Sequence, residues 1–268
     1  MAEDYLHRDE APFGPQVWAR IDEAVIETAK TRLCARRLLH TDGPHGLGLK
    51  SIPGPEQTLH EGEEVSVTAS GVQPLVGIQA GFRIPKRDIA AHVSMGAPLD
   101  LRDAVQGGVA CAQREDALLF DGDKKVGALG LLTGQGAAAH KLGAWDEVGQ
   151  AIEDLIAAVD KLDRAGFHGP YTVALNAMRY NRLLRRYPQG NALELDHLRQ
   201  LATDGVVKAP ALSKGGVLVA AGRQYASIVL GQDLSVGFVG PDAGDYEFVV
   251  SETLALRLAV PEAVCVLQ

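Results

Sequence analysis

Glu194-Leu195-Asp196-His197 sets a carboxylate and an imidazole three residues apart, one turn on a helix and the spacing with which di-iron bundles hold metal. Such bundles need a second copy of the motif and two further carboxylates on facing helices. Here the motif stands alone, so it is read as a surface helix pair. Gly134-Gln135-Gly136-Ala137-Ala138-Ala139 matches GxGxxA, a turn that lets backbone approach a pyrophosphate at the start of a long helix. Gly143 interrupts the run that would make that helix, so the segment is read as a connector. No GxxxxGK[ST] loop and no GxSxG elbow occur, which removes the local signatures of a phosphate cradle and an activated serine. The eight histidines include no HExxH, and His40 and His45 flank a Gly-Pro turn as solvent-facing side chains, so no metal site is expected. Cys34 and Cys111 fall on or beside apolar helical registers, where a thiol packs as a small hydrophobe. A cysteine and a histidine that meet only in space stay an open alternative. Arg179, Arg182, Arg185 and Arg186 crowd one short helix as a solvated face or as intersubunit ion pairs. No catalytic residue emerges, and the chain is read as built for assembly, not as an enzyme.

Composition narrows the classes further. A length of 268 residues allows one large domain or two smaller ones, and 46% hydrophobic with 22% charged residues is globular. The net charge of −8 argues against a nucleic-acid binder. Aromatic content of 5% leaves little for base-stacking platforms. Three scattered cysteines, Cys34, Cys111 and Cys265, fit reduced thiols, and the acidic start Met-Ala-Glu-Asp has no apolar secretory region. The apolar runs are too short for a bilayer. A cytoplasmic protein with no membrane partner is expected.

Periodicity then supplies the elements. Pro15 opens a helix whose stripe Trp18, Ile21, Val25, Ala29 and Leu33 continues to about Leu39. Residues 46–62 read as loop. A hairpin is expected over 63–84, with Val65 and Val67 on one strand, a turn at Ser70 to Pro74, and Val76, Ile78, Ala80, Phe82 and Ile84 alternating on the other. Leu101, Val105, Val109 and Ala112 predict a helix to about Phe120. Trp145 to Leu162 predicts the most amphipathic helix, ended by Gly166. Strands are expected at Tyr171 to Leu175, Val217 to Ala221, Tyr225 to Leu230, Tyr246 to Val250 and Leu254 to Val260, with helices at Ala177 to Arg186 and Leu193 to Thr203. The mixture is α+β without an internal repeat. The lone hairpin carries an apolar face that its own chain offers little to cover, so a neighbouring subunit is its natural partner.

Several short blocks recur in a fixed order: Ala11-Pro12 ahead of Trp18, Arg36-Arg37, Gly43-Pro44-His45-Gly46, then Gly169-Pro170-Tyr171-Thr172 and Tyr187-Pro188. Leu230-Gly231-Gln232-Asp233-Leu234-Ser235-Val236-Gly237-Phe238, Ser251-Glu252-Thr253-Leu254 and Pro261-Glu262-Ala263 follow. From Ala11 to the C-terminus the chain resembles the encapsulins, the linocin-like (family 1) shell proteins of bacterial and archaeal nanocompartments.

The resemblance implies the tailed-phage major capsid protein-like fold, of the Hong Kong 97 phage type. It assigns an N-terminal helix and arm to 1–62 and an E-loop hairpin to 63–84. A peripheral domain with a spine helix takes 85–134 and 225–268, and an axial domain 135–224. It implies an icosahedral shell of 60 copies, or a multiple of 60, that encloses a cargo enzyme carrying a C-terminal targeting peptide, for iron storage or oxidative-stress defence. The cargo would be a ferritin-like protein, a dye-decolourising peroxidase or a hemerythrin-like protein. The peptide would bind in an apolar groove of Ala29, Leu33, Arg36, Leu234, Val236, Val250 and Leu254, and a five-fold pore would be lined by Tyr187, Pro188, Gln189, Gly190 and Asn191. Some encapsulins hold flavin through a tryptophan after the E-loop strand. Here Phe82-Arg83-Ile84-Pro85-Lys86-Arg87 places Arg87 at that position, so no cofactor is expected in the shell, and iron or haem would belong to the cargo. The alternative is the capsid of a defective phage enclosing DNA, which the acidic net charge disfavours.

Overall fold

The computed structural model describes residues 5–54, 57–61, 65–188 and 190–268. Helix α1 (Pro15–Arg32) leads into β1 (His40–Asp42), β2 (Ser51–Pro53), β3 (Gln57–Glu61), β4 (Ser66–Ala69), β5 (Val72–Pro74) and β6 (Val76–Pro85). Helices α2 (Lys86–Met95) and α3 (Arg102–Asp121) follow, then β7 (Ala138–His140), α4 (Gln150–Arg164), β8 (Tyr171–Leu175), α5 (Ala177–Arg182) and α6 (Glu194–Leu201). The chain ends in β9 (Gly205–Lys208), β10 (Gly216–Ala220), β11 (Ala226–Leu230), β12 (Ser235–Asp242), β13 (Asp245–Leu258) and β14 (Val264–Leu267). Among the described residues no helix is long and apolar enough to cross a membrane.

One sheet is organised around β13, a single 14-residue strand where two were expected. Its first half pairs with β12 on one side and β6 on the other, and its last five residues pair with β11, all antiparallel. Strand β1 adds parallel to β11. Helices α1 and α3 cover this sheet. The α1 stripe of Val17, Trp18, Ile21, Val25 and Ala29 is buried at steps of one, three and four, as helical periodicity demands. Gly108 lets the two helices approach, since a Cβ there would lie 3.1 Å from Val25.

Helix α1 ends at Arg32, earlier than the expected Leu39, because α3 offers the chain another partner. The Asp116 carboxylate accepts hydrogen bonds from the Cys34 amide (3.0 Å) and the Ala35 amide (2.9 Å) and from the Cys34 thiol (2.8 Å). A short 3-10 turn, Ala35–Arg37, follows. Exposed Lys30 and Arg32 in the last helical turn complement the helix dipole.

A second sheet has the order β7-β14-β10-β8-β9. Strands β8 and β10 are buried along all five residues, and alternation divides their side chains between two cores. Val173, Leu175, Leu218 and Ala220 pack with α4 and α6, while Ala174, Val217 and Val219 face the first core. The C-terminal strand β14 belongs to this sheet, so residues 264–267 leave the peripheral assignment made from sequence. Helix α4 starts at Gln150, later than Trp145. Trp145 adopts φ +60° and donates its indole N–H to Asp154 (2.6 Å).

The expected 63–84 hairpin pairs differently. Strand β6 does not fold back on Val65 and Val67; it belongs to the first sheet, paired with β13 from Val76 to Pro85. The projecting arm is instead a two-step ladder of β2 with β5 and β3 with β4. The Gly- and Pro-rich stretch read as loop supplies its outgoing strands. Ser70 to Pro74 is not the turn, because Val72–Pro74 pairs back with Ser51–Pro53.

Candidate functional site

The seven positions named for a docking groove lie in one region, but mostly as interior. Val236 and Val250 are cross-strand partners, and Ala29, Val236, Val250 and Leu254 are fully buried in the first core. Leu33 and Leu234 keep only 5% and 8% of their surface. A peptide could touch the deepest four only if α1 moved away, because burial there is already complete within one chain. Arg36 is not free for a peptide carboxylate either. Its Nε and Nη2 donate to Glu115 at 2.8 Å each, Nη1 donates to Asp233 at 2.7 Å, and Nη2 also reaches Glu252 at 3.0 Å. The glutamates are wholly buried. This bidentate, charge-assisted set ties the turn after α1 to α3, to β13 and to the loop before β12.

That cluster was missed in the sequence, although three of its members, Arg36, Asp233 and Glu252, stand in the quoted blocks. A signal existed. Ala104, Gly108, Cys111 and Glu115 fall at steps of four, three and four along the buried stripe of α3, and a carboxylate in such a stripe demands a cation.

Two surfaces remain open. A cleft of about 950 Å³ lies between α3 and the sheet, lined by Phe82, Arg83, Gln106, Gly107, Val239 and Phe248 among others. The arm presents Val65, Val67 and Val72 at 66%, 47% and 68% exposure, while Ile52 at its base packs with Val229 and Ala255. Three large apolar side chains on a thin projection form a surface that wants a cover.

At the tip of the second unit, the Tyr187 amide donates to Ala192 O (2.9 Å) and Arg186 Nη1 donates to Asn191 Oδ1 (2.6 Å), closing a turn. Gly190 and Asn191 adopt φ +93° and +57°. Tyr187 stands edge-on to His197 at 4.9 Å between centroids. Burial, with Glu194 and Glu153 nearby, pushes its hydroxyl pKa up. Pro188 is exposed in the same turn; Gln189 lies outside the described residues.

The chemistry-bearing motifs resolve into structural work. Glu194 is buried, not on a surface helix face, and accepts from the Gly149 amide (2.6 Å) and Arg185 Nη2 (3.0 Å). Arg179, Arg182 and Arg185 donate to backbone carbonyls of residues 143–147 within their own chain, so these three are not a free solvated face. Ala138–His140 is a strand, so no helix N-terminus follows Gly134. Burial pushes the Cys34 and Cys111 thiols up to about 12, with Asp116 and Glu252 respectively adding to it, and Cys265 to about 11, which keeps all three protonated. No group of three or more metal-ligating side chains forms among the described residues.

The architecture is thus a sheet backed by two helices, a second sheet and a separate strand arm. A family model described as encapsulating protein for peroxidase (Linocin_M18) matches residues 3–255. The chain belongs to the encapsulin shell-protein family. The type 1 encapsulin shell protein EncA of Myxococcus xanthus is 34% identical over 277 residues, covering 99% of this chain and 96% of that relative. A diheme-cytochrome-encapsulin shell fusion protein of Kuenenia stuttgartiensis is 29% identical, over 94% of this chain and 72% of its own length. The encapsulin chain also superposes on the virus-like particle from Pyrococcus furiosus with a TM-score of 0.75 at 21% identity, covering 94% of this chain and all of that one. The capsid of Myoviridae phage XM1 matches at 0.59 and 13% identity, over 85% and 88% of the two chains. The fold is therefore that of the tailed-phage capsid proteins, in its encapsulin form.

Proposed function

We propose that copies of this chain close into an icosahedral particle, of 60 subunits or a multiple of 60, that encloses a cargo enzyme bearing a C-terminal targeting peptide. The observation that carries the reading is the arm, whose exposed valines find no cover among the described residues of their own chain. A neighbouring copy is the cover that the capsid fold makes available at every arm. Iron storage or oxidative-stress defence is the purpose we assign, with a peroxidase or an iron- or haem-bearing protein as cargo. The description of the matching family and the fused cytochrome of the Kuenenia relative support it. We place the particle in the cytoplasm and give the shell itself no cofactor and no catalytic step. The peptide would dock over the seam where Leu33, Arg36 and Leu234 come nearest the surface, with the other four groove positions as the packed layer beneath. The pore role of the Tyr187–Asn191 turn belongs to the same proposal.

Light scattering and negative-stain imaging of the purified chain test the shell: closed hollow particles are expected, and a stable monomer of about 28.4 kDa overturns it. Mass spectrometry of particles from the native cell identifies the cargo. A 260/280 nm absorbance ratio typical of nucleic acid would favour a DNA-filled capsid instead.

A further inference from the structure

Glu252 carries an oxygen that the fold leaves without a partner. Its side chain is wholly buried on β13. Oε2 accepts from Arg36 Nη2, but Oε1 meets no hydrogen-bond donor. An orphaned carboxylate oxygen on a wholly buried side chain costs the desolvation of that group. Around it stand Arg36 from the turn after α1, Glu115 and Cys111 from α3, and Asp233 from the loop before β12. The Cys111 thiol is neutral, so the three acids would give −3 against the single +1 of Arg36. One proton on Oε1 repairs both faults. It turns the orphaned acceptor into an O–H donor toward the Glu115 carboxylate, and it removes one of two like charges that share a guanidinium.

We propose that Arg36, Glu115 and Glu252 form a one-proton clasp that holds the first helix and its following turn onto α3 and the sheet, and that alkali releases it and opens the shell. The opening half rests on the shell reading above; the clasp itself does not. Burial, and then the Glu115 charge, push the Glu252 carboxyl from its ordinary 4.5 up to about 9. The folded chain therefore keeps a proton that the unfolded chain releases above about 4.5. Stability is full below that pH and drains as pH climbs to about 9, by about tenfold in the folding equilibrium per pH unit at its steepest.

The test follows the thermal midpoint and light scattering of the full chain from pH 5 to pH 10, in wild type and in Glu252→Gln. The amide keeps a donor for Glu115 and cannot titrate. Wild type should lose stability across that range, and Glu252→Gln should be nearly flat and keep its particles at a pH where wild type opens. Parallel loss in both overturns the clasp. Different midpoints with opening at the same pH overturn the release of the shell alone, and a chain that never assembles still reports the clasp through its midpoint. Should Glu252→Gln fail to fold, Glu115→Gln serves. With its like-charged neighbour gone, Glu252 can ionise against Arg36, so the pH dependence should shrink; an unchanged slope counts against the proposal.

Discussion

In the second sheet, β8 and β10 are buried along their whole length, and a helix or a second core covers each face. In the arm, β2 pairs with β5 and β3 with β4, and neither pair joins a larger sheet among the described residues, while Val65, Val67 and Val72 stand in solvent. Both regions are short β-strands, but β8 (YTVAL) and β10 (GVLVA) are nearly all apolar, while β2 to β5 are mostly polar. A second difference lies in what faces them: the sheet finds its cover inside the chain, and the arm finds none among the described residues, so that in the proposed shell a copy would supply it. Self-sufficiency in one region and insufficiency in the other is what a shell subunit needs, since the first holds the monomer and the second makes the monomer seek neighbours.

The largest break in this comparison comes from cutting the arm. Replacing residues 55–70 by a short Gly-Ser link removes β3 and β4 but keeps β2 on β5 and Ile52 in its place. The chain should fold, with an unchanged circular dichroism spectrum apart from the lost strands, and form no particles on size exclusion. Removing 63–84 instead takes away β6, paired with β13 over ten positions, and should yield insoluble protein. Closed particles from the 55–70 deletion would show that the arm is dispensable.

Next in size is Leu234→Asp. A charge forced into the seam beside Arg36 and its three carboxylates should cost about 3 kcal/mol or more, read as a drop in the urea midpoint. Folded particles that lose only their cargo would instead show that Leu234 serves the proposed docking and contributes little to the packing of the seam.

These two cases show where the sequence was readable. Elements whose faces are covered within the chain followed periodicity most closely: Tyr171–Leu175 was found to the residue and the α1 stripe as a buried face, whereas the α3 stripe was offset, with Leu101, Val105 and Val109 half-buried beside the buried Ala104, Gly108, Cys111 and Glu115. The arm was misregistered because its strands have no core to impose alternation, and Gly and Pro between residues 46 and 62 imitated a loop. The burial of the seven groove positions was not legible for a different reason. Apolar residues brought together by fold are indistinguishable, in one dimension, from apolar residues left open. The stripe of α3 could have flagged Glu115 as a buried carboxylate, but not its partner or that of Asp116, because those partners lie 79 to 82 residues away.

Asp154 offers a finer probe of the self-sufficient side. Burial works against its ionisation, but hydrogen bonds from the Trp145 indole, His140 and the Gly143 amide outweigh it and hold the carboxyl below its ordinary range. Its stabilisation is thus present above about pH 3.8 and is lost as pH falls through the lowered value. Asp154→Asn should destabilise by about 1–3 kcal/mol at neutral pH, followed by tryptophan fluorescence, and the gap to wild type should close in acid. A gap that persists below pH 3 would assign the loss to packing.

The smallest expected effect on the monomer is the sharpest test of the arm. Val72 is 68% exposed and its substitution by serine removes nothing that the chain itself buries. Val72→Ser should therefore leave urea unfolding of dissociated subunits within about 0.5 kcal/mol of wild type. In a shell the same side chain would be covered by a neighbour, and burying a valine is worth about 1.5–3 kcal/mol. The concentration needed for assembly should then rise about tenfold or more, measured by light scattering on dilution. A monomer destabilised with its assembly threshold unmoved would mean that the arm packs on its own chain, and the contrast between the two regions would disappear.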